Sequence, residues 1–430
     1  MRIKKSIFKR TLMFAITVML ISAFMVGCMP CNKRPPLQIS ARDLMMDITS
    51  QEVTASNLNN EFIEAKANFS FNLFRETLQN DENTLISATS VLLALAMTAN
   101  GARDKTLSQM EEVLGGGMPI AQLNRYLHSF ANELFSGEKS ELDIANSIWF
   151  RDHMLQVNPE FLQANADYFG ASAYAAPFDK TTVDDINAWV SYHTDGMIDK
   201  IVEEISQEAM MYLVNAIMFD AEWARLYDAT DIGSGTFTAF DGRKQLATFM
   251  TSGGWTPERY FIEDDLATGF IKPYHGGHYS FVALLPNEGV SIFDYAASLT
   301  GTGFLDTIQG VQNLSVVARL PKFEFDFDLN LNESLQSLGM KDAFCEKIAN
   351  LRGIGHTLYG DLWISKVQHN TFISVNERGT RAGAVTSVGV SGPTSIPQFD
   401  RYVILDHPFV FAIIDNKTSL PIFIGKLLEV

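Results

Sequence analysis

Residues 375–397 read VNERGTRAGAVTSVGVSGPTSIP, and this stretch decides how the rest of the chain is interpreted. From Thr380 to Val390 the even-numbered positions carry small or apolar side chains, which is the alternation of a half-buried strand. The same stretch holds four glycines, at positions 379, 383, 389 and 392, which weaken a strand, and it is longer than a hairpin loop needs. The pattern predicts a segment that can enter a sheet and can also stay outside it as a flexible surface loop.

Composition and charge exclude several classes of function. The 430 residues supply ample apolar side chains for a large core. The chain carries 33 Lys and Arg against 50 Asp and Glu, a net charge of −17, which argues against nucleic acid as a partner. It contains three cysteines, Cys28, Cys31 and Cys345, so no disulfide framework holds the fold. Cys28 and Cys31 have the spacing of a redox pair, but no strand precedes them, so a redox function is not predicted.

The first 27 residues have the pattern of a signal peptide. They contain five basic residues and no acidic one, and an apolar run follows over residues 11–26. Residues 25–28 resemble a bacterial lipobox, in which the cysteine, here Cys28, is acylated and becomes the mature N-terminus. We therefore expect a bacterial, extracytoplasmic lipoprotein, anchored in the outer membrane or at the cell surface; an ordinary cleaved signal and an uncleaved anchor are the alternatives. The mature chain would carry 28 basic and 50 acidic residues, a net charge of −22.

Two regions follow the signal. Residues 28–56 contain three prolines and scattered polar side chains, so we interpret them as a tether. Residues 57–430 intersperse helices and strands without a regular βαβ rhythm, which predicts one α+β domain with large, mostly antiparallel sheets. Within it, residues 213–219 indicate a buried central strand, and residues 92–99 an apolar helix with Ser90 or Thr89 as its N-cap. The alternating run 323–328 predicts a strand with one phenylalanine face.

Two specific motifs carry a family resemblance. Residues 375–386 resemble the hinge of the serpins, the serine-protease inhibitors that trap their targets by inserting a cleaved loop into a sheet, and residues 403–413 resemble the C-terminal signature of that family. Further stretches that look like serpin landmarks are 213–217 with Trp223, 320–323, 338–344 and 364–369. The resemblance covers residues 57–430. It implies the serpin fold, with about eight to nine helices and an exposed reactive loop at about residues 377–400.

The resemblance also implies inhibitory activity, because the hinge has the composition that inhibitory serpins need. Glu377 precedes a run of small residues without proline, whose members are Gly379, Thr380, Ala382, Gly383 and Ala384. The resemblance then implies a metastable monomer, not an enzyme, that irreversibly traps serine proteases, with cysteine proteases as a second target class, in a covalent complex. It implies no cofactor and no metal. Arg378 and Arg381 are more basic than the usual hinge, and we expect both to point to solvent.

The reactive bond is placed by counting from Glu377 at the family spacing, which ends near Pro393 or Thr394. We predict cleavage between Thr394 and Ser395, with Pro393-Thr394 and Val390-Ser391 as alternatives, because proline is a poor acyl donor for most serine proteases. A small residue at the cut suits an elastase-like or subtilisin-like pocket rather than a trypsin-like one.

Two further groups of residues follow from the resemblance. The cluster that controls opening of the main serpin sheet corresponds to Ser87, Ser90, Asn215 and His369. Considered alone, His369 indicates a buried, hydrogen-bonded core histidine, and the resemblance makes its partners those that must separate when a strand enters. The point where the loop enters the sheet corresponds to Trp223, Lys322 and Glu377, with an ion pair between the last two as a hypothesis.

Other functions are less well supported. A non-inhibitory serpin-fold carrier or surface binding protein has the same architecture, but such members tend to carry bulky or charged hinge residues. A hydrolase is disfavoured because the sequence contains neither a Gly-x-Ser-x-Gly elbow nor a His-Glu-x-x-His motif. Residues 275–278, His-Gly-Gly-His, indicate a hairpin turn, with a metal site as the alternative.

Overall fold

The structure is a computed structural model, and it describes residues 36–78, 81–152, 155–253, 257–357, 361–380 and 399–430. The helices in these ranges, in chain order, are α1 Asn60–Glu76, α2 Ala88–Ala99, α3 Asp104–Gly115, α4 Ile120–Glu133, α5 Pro159–Phe169, α6 Lys180–His193, α7 Ile292–Ser298, α8 Gly301–Gln309 and α9 Asn332–Ser337. The strands are β1 Arg42–Asp43, β2 Thr84–Ile86, β3 Ser140–Arg151, β4 Gln156–Val157, β5 Ser172–Ala176, β6 Met211–Glu222, β7 Ile232–Thr238, β8 Lys244–Ser252, β9 Glu258–Glu263, β10 Ala267–Pro273, β11 Tyr279–Pro286, β12 Gln312–Pro321, β13 Phe323–Asn330, β14 Gly355–His356, β15 Lys366–Val375, β16 Gly379–Thr380, β17 Arg401–Ile404, β18 Phe409–Asp415 and β19 Pro421–Leu427.

Two sheets contain most of the strands. The first, which we call the large central sheet, has the order β1-β5-β3-β6-β16-β15-β13, and β6 also pairs directly with β15. The second sheet has ten strands, in the order β2-β19-β18-β11-β10-β9-β12-β8-β7 with β17 beside β12. Neighbouring strands are antiparallel except β3 with β5, β6 with β15 and β12 with β17. The predicted α+β fold, with large and mostly antiparallel sheets and about eight to nine helices, is confirmed.

Helix α2 is the buried centre of the fold. It contacts β3 and β6 of the central sheet and β19 of the second sheet, and all twelve of its residues are buried. An apolar sequence on every side of the helix explains this burial. The predicted cap at Ser90 or Thr89 is wrong, because Ser87 is the N-cap and its hydroxyl accepts a hydrogen bond from the Ser90 amide at 3.3 Å. The hydroxyl of Ser90 therefore remains available for a contact with the central sheet.

The strands follow the predicted patterns. Residues 213–219 are buried in the middle of β6, as their continuous apolar run predicts. In β13, Phe323 and Phe327 are buried while Glu324 and Asp328 are exposed. Residues 275–278 connect the antiparallel strands β10 and β11, so the interpretation as a hairpin turn is confirmed. The described ranges contain no group of three or more His, Cys, Asp or Glu side chains that could hold a metal ion.

The N-terminal part of the chain makes contacts that a free tether would not make. The carboxylate of Asp185 on α6 accepts hydrogen bonds from the Ser40 amide and hydroxyl and from the Ala41 amide, at 2.7 to 3.0 Å. Next to them β1 pairs with β5, and Arg42 lies opposite Ala175. The predicted tether is thus docked on the domain from Ser40 onwards.

The lipidation residue Cys28 and the predicted signal peptide lie outside the described residues. None of the described helices is both long enough and apolar enough to cross a membrane.

Candidate functional site at the opening of the central sheet

The first two hinge residues already lie inside the central sheet. Strand β16 runs between β6 and β15, with Gly379 opposite Glu222 and Thr380 opposite both Ala221 and Val375. A tight turn after β15 makes this possible, because the Asn376 amide donates to the Gly379 carbonyl at 2.9 Å. We call this end of the sheet the upper end.

Side-chain size explains why these residues fit. A Cβ atom on Gly379 would lie 1.9 Å from the carbonyl oxygen of Ala221, which is a backbone atom and cannot move aside. The next side chain, Thr380, is 2% exposed, and its hydroxyl lies 2.6 Å from that of Tyr274. Burial raises the pKa of Tyr274, so the phenol stays protonated at neutral pH and this contact is a hydrogen bond between two neutral groups.

Trp223 binds the turn through its side chain and its backbone. Its indole stacks on Tyr274 with ring centres 4.5 Å apart, and its Nε1 donates to the Asn376 carbonyl at 2.8 Å. Its backbone amide donates to the Arg378 carbonyl at 2.7 Å. Because one buried residue binds two carbonyls of the turn, Trp223 fixes the position from which any further insertion would start.

Two ion pairs surround the turn. Lys322 pairs with Glu377, as hypothesised, and this hydrogen bond lowers the pKa of the Glu377 carboxyl. The expectation that Arg378 points to solvent is wrong, because its guanidinium binds Glu222, which also contacts Lys139 at 3.2 Å. Desolvation raises the pKa of Glu222, but the hydrogen bonds from the two cations outweigh it and the pKa is lowered overall. Both carboxylates at the upper end are therefore paired with cations.

A buried ion pair that we did not predict supports Trp223. Lys272 on β10 lies 2.8 Å from Glu258, and both side chains are less than a tenth exposed. The ammonium also lies over the rings of Tyr227, at 4.3 Å, and Trp223, at 5.4 Å. Only the three-dimensional arrangement brings these residues together, since Lys272 and Glu258 lie on different strands and neither belongs to a recognisable motif.

At the other end, which we call the lower end, β6 and β15 pair directly. Residues 212–215 of β6 run parallel to residues 366–369 of β15, and Asn215 lies opposite His369. His369 is fully buried and accepts a hydrogen bond on Nε2 from the Ser87 amide at 3.0 Å. Desolvation lowers the pKa of His369 to about 4, so the ring is neutral at pH 7 and, because Nε2 is an acceptor, carries its proton on Nδ1.

The structure adds Asn146 to the predicted sheet-opening cluster. Asn146 lies opposite Asn215 on β3, and its Oδ1 accepts from Asn215 Nδ2 at 2.8 Å and from the Ser90 hydroxyl at 3.5 Å. The cluster thus ties helix α2 to three neighbouring strands. Two buried atoms in it, His369 Nδ1 and Asn215 Oδ1, have no hydrogen-bond partner among the described residues. One is a donor and the other an acceptor, so an incoming hydroxyl could satisfy both.

The rest of the predicted loop lies outside the described residues. This applies to hinge residues Ala382, Gly383 and Ala384 and to the candidate reactive-bond residues Val390, Ser391, Pro393, Thr394 and Ser395.

The arrangement defines a class of protein in which a short segment, Gly379 and Thr380, lies between two strands of the large central sheet of its own chain. The sequence model of the family described as "Serpin (serine protease inhibitor)" matches residues 64–430. The chain belongs to the serpin family. Protease inhibition is the general function that this family supports, and a protease is the corresponding partner.

Similar proteins agree with the assignment. The native-state crystal structure of the thermophilic serpin tengpin is 46% identical in sequence, covers 91% of this chain and all of its own, and superimposes with a TM-score of 0.88. The latent-state structure of tengpin is 47% identical over 88% of this chain and all of its own, and its TM-score is 0.78. An uncharacterised serpin-like protein of Thermococcus kodakarensis is 30% identical over 98% of this chain and 99% of its own length.

Proposed function

We propose that this protein is an irreversible suicide inhibitor of serine proteases, with cysteine proteases as a second target class. The nucleophile of the protease attacks the scissile carbonyl of the loop, the amine side leaves as a new N-terminus, and an acyl-enzyme forms. The freed arm then inserts into the central sheet before water can deacylate the enzyme. The observation that carries this proposal is the pair Gly379 and Thr380, which already occupies the first two positions of the incoming strand.

The register of that pair determines where the rest of the arm would go. If the antiparallel register continues, Val390 lies opposite Met211, the first residue of β6, and Gly389 lies opposite Lys366, the first residue of β15. The sheet thus offers partners for a strand of about twelve residues. All the even-numbered side chains would share the face on which Thr380 is buried.

The same register places Thr386 in the sheet-opening cluster. It would lie between Asn215 on β6 and His369 on β15, whose direct pairing the arm replaces. A threonine hydroxyl there could donate to Asn215 Oδ1 and accept from His369 Nδ1, the two buried atoms described above as unpaired. The cluster would then close again around the inserted strand, with its polar groups satisfied.

The energy of insertion is sufficient for trapping. A strand of about twelve residues, at roughly 0.5 to 1.5 kcal/mol per hydrogen bond plus side-chain burial, supplies on the order of 10 kcal/mol. Displacing one member of a catalytic triad costs a protease about 10⁴ to 10⁶ in rate, which corresponds to roughly 5 to 8 kcal/mol. Insertion can therefore hold the protease in a distorted acyl-enzyme, and the native state is metastable until the loop is cut.

The register supports a reactive bond C-terminal to Val390. Cleavage between Thr394 and Ser395 leaves four residues to connect the end of the inserted strand to the protease, whereas cleavage at Val390-Ser391 leaves none. Pro393-Thr394 gives a similar length but requires proline as the acyl donor. We therefore propose cleavage at Thr394-Ser395 by an elastase-like or subtilisin-like protease.

Incubation with a panel of small-pocket serine proteases tests the proposal. The expected result is a complex that survives boiling in detergent, together with a released C-terminal peptide that begins at Ser395. The matched control is Thr380→Arg, in which a charged side chain would have to enter the buried position beside Tyr274. This variant should be cleaved without trapping. If every protease is released active from the unmodified protein, the inhibitor assignment fails and a non-inhibitory carrier on the same fold takes its place.

We also propose that lipidation of Cys28 anchors the protein to a membrane. The support is the lipobox-like sequence at residues 25–28 and the basic, apolar segment before it. The test is growth of a bacterial host with radiolabelled palmitate. The protein with the natural sequence should take up label and partition into detergent, and Cys28→Ser should do neither. Cys31→Ser is the matched control and should take up label as the natural sequence does. Label on a Cys28→Ser chain would contradict the proposal.

A further inference from the structure

The strand β3 has an open edge along half of its length. It pairs with β6 from Ser140 to Phe150, but with β5 only from Ser147 to Arg151. Among the described residues no second strand pairs with residues 141–146. A row of unpaired peptide groups on a strand edge is a surface to which another strand can bind.

Neighbouring hydrogen bonds show which peptide groups face this edge. The Arg151 amide donates to Met210, on the β6 side, whereas the Asp152 amide donates to Ala176, on the β5 side. Odd-numbered residues therefore direct their N–H and C=O groups to β6, and even-numbered residues direct theirs to the open side. Leu142 follows this rule, since its amide donates to the Ser136 hydroxyl at 3.3 Å. The peptide groups of Ile144 and the amide of Asn146 thus face the open edge, whereas the pairing of Ser147 with Ser172 places the Asn146 carbonyl against β5.

A groove of about 550 Å³ runs along this edge. Its walls are residues 142–144 and Asn146 of β3, residues of α4 including His128, the end of α5 and residues 50–53 of the N-terminal segment. The lining contains both apolar side chains, among them Leu134 and Ile144, and polar ones. Along β3 the lining extends from Leu142 to Asn146, which is the span of about five extended residues.

The charge of the groove indicates its occupant. Three carboxylates, those of Glu52, Asp143 and Asp167, line it, and the described lining contains no lysine or arginine. One of these, Asp167, also accepts a hydrogen bond from the Gln51 amide at 2.7 Å. The whole chain carries a net charge of −17. An extended segment that alternates apolar and basic side chains is the complement of this surface.

We infer that this groove binds a basic, extended peptide segment of a partner protein, which adds as a strand to the open edge of β3. The inference does not depend on the proposed inhibitory function, since the groove lies on the side of β3 away from β6. Binding in the groove would nevertheless affect the sheet-opening cluster. Asn146 lines the groove and also binds Asn215 and Ser90, so an occupied groove contacts the sheet-opening cluster directly.

The first test uses a seven-residue peptide of alternating valine and lysine, blocked at both ends. Calorimetric titration against the full chain should show binding that weakens with added salt, and the same peptide with glutamate in place of lysine should bind at least tenfold more weakly. Methylating the amides of all valines, or of all lysines, should weaken binding by about tenfold in one of the two peptides only, because alternate amides face the partner strand. Equal binding by both methylated peptides and the parent would overturn the inference.

Hydrogen exchange provides the second test. With the basic peptide present, exchange at the amides of Ile144 and Asn146 should slow by about tenfold or more, and exchange at Asp143 and Ala145, which face β6, should not change. Unchanged exchange at Ile144 and Asn146 would contradict strand addition. Slow exchange at both amides before the peptide is added would show that the protein itself, or a second copy, already fills the groove, which would also overturn the inference.

Matched charge variants provide the third test. The substitution Asp143→Lys places a positive charge in the groove wall and should weaken peptide binding at least threefold. The control Glu324→Lys makes the same change at an exposed position on β13, at the opposite edge of the central sheet, and should leave binding within about twofold of the unmodified protein. An equal loss in both variants would mean that only the overall charge matters, which contradicts a site in the groove.

Discussion

At the upper end of the central sheet β16 lies between β6 and β15, whereas at the lower end the same two strands pair directly. The upper end is fixed by hydrogen bonds from Trp223 to the turn and by a buried threonine. The lower end is closed by a neutral, buried histidine whose cluster retains an unpaired donor and an unpaired acceptor.

The difference between the two ends suggests a direction for opening. At the upper end β16 already separates β6 from β15 and pairs with both, so no further free energy is needed to part the two strands there. At the lower end the strands must part before a new strand can pair, and the cluster around His369 must lose its contacts first. Insertion should therefore proceed from the upper end, with its barrier at the lower end.

Cutting the loop should produce the largest effect, because it allows the lower end to become like the upper one. About ten further residues would pair on both sides, which corresponds to roughly 10 kcal/mol and, for a domain of this size, a rise in the thermal midpoint of roughly 13 °C. Calorimetry of intact and nicked protein measures it. Nicked Thr380→Arg is the control and should melt at the same temperature as its intact form, since an arginine cannot be buried at position 380, the second position of the inserting strand. Equal thermal midpoints for the intact and the nicked protein of natural sequence would contradict insertion of the cleaved loop into the central sheet.

The sequence predicts the upper end better than the lower end, for physical reasons. The hinge has a composition that few strands share, and the charges of Lys322 and Glu377 are compatible with a pair wherever the chain brings them together. Asn146 is one polar residue in an ordinary strand, and only its position opposite Asn215 gives it a function. Arg378 was misjudged because a long side chain next to a turn usually points to solvent, and nothing local shows that Glu222 lies within reach.

A substitution at Gly379 should expel β16 and make the upper end resemble the closed lower one. The Cβ atom of Gly379→Ala would overlap the Ala221 carbonyl, so we expect the free energy of unfolding to fall by about 3 kcal/mol. The matched control is Gly233→Ala in β7, where a Cβ meets nothing within 4 Å and the change should stay within about 0.5 kcal/mol. Denaturant titration measures both. Equal stabilities for the two variants would mean that the insertion of β16 contributes nothing.

Acidification should weaken the lower end before it affects the upper one. The pKa of His369 is about 4 in the folded protein and 6.5 in the unfolded chain, so the unfolded state binds the proton first and stability is lost as the pH falls below 6.5. Between pH 7 and pH 5 this amounts to about 2 kcal/mol. Over that range the carboxyls of Glu222 and Glu377, whose pKa values lie below the ordinary 4.5, remain ionised.

The substitution His369→Gln isolates this contribution. Glutamine keeps a polar side chain but does not titrate, so the loss of about 2 kcal/mol between pH 7 and pH 5 should disappear in the variant. The free energy of unfolding of both proteins, measured by urea titration at several pH values, gives the difference. The same pH dependence in both proteins would assign the titration to another group and would contradict the prediction that protonation of His369 weakens the lower end.

The smallest effect is expected from the ion pair at the top of the turn. The side chains of Lys322 and Glu377 are 29% and 37% exposed, so water and salt screen them, and Lys322→Met should cost less than about 1 kcal/mol. That cost should vanish in about 1 M salt, where the screening length is about 3 Å. Arg378→Met is the comparison, because the Arg378 and Glu222 side chains are only 18% and 16% exposed, and its cost should be larger and less sensitive to salt. A loss above about 2 kcal/mol for Lys322→Met would mean that this surface pair, rather than Trp223 and its two hydrogen bonds, holds the hinge in the sheet.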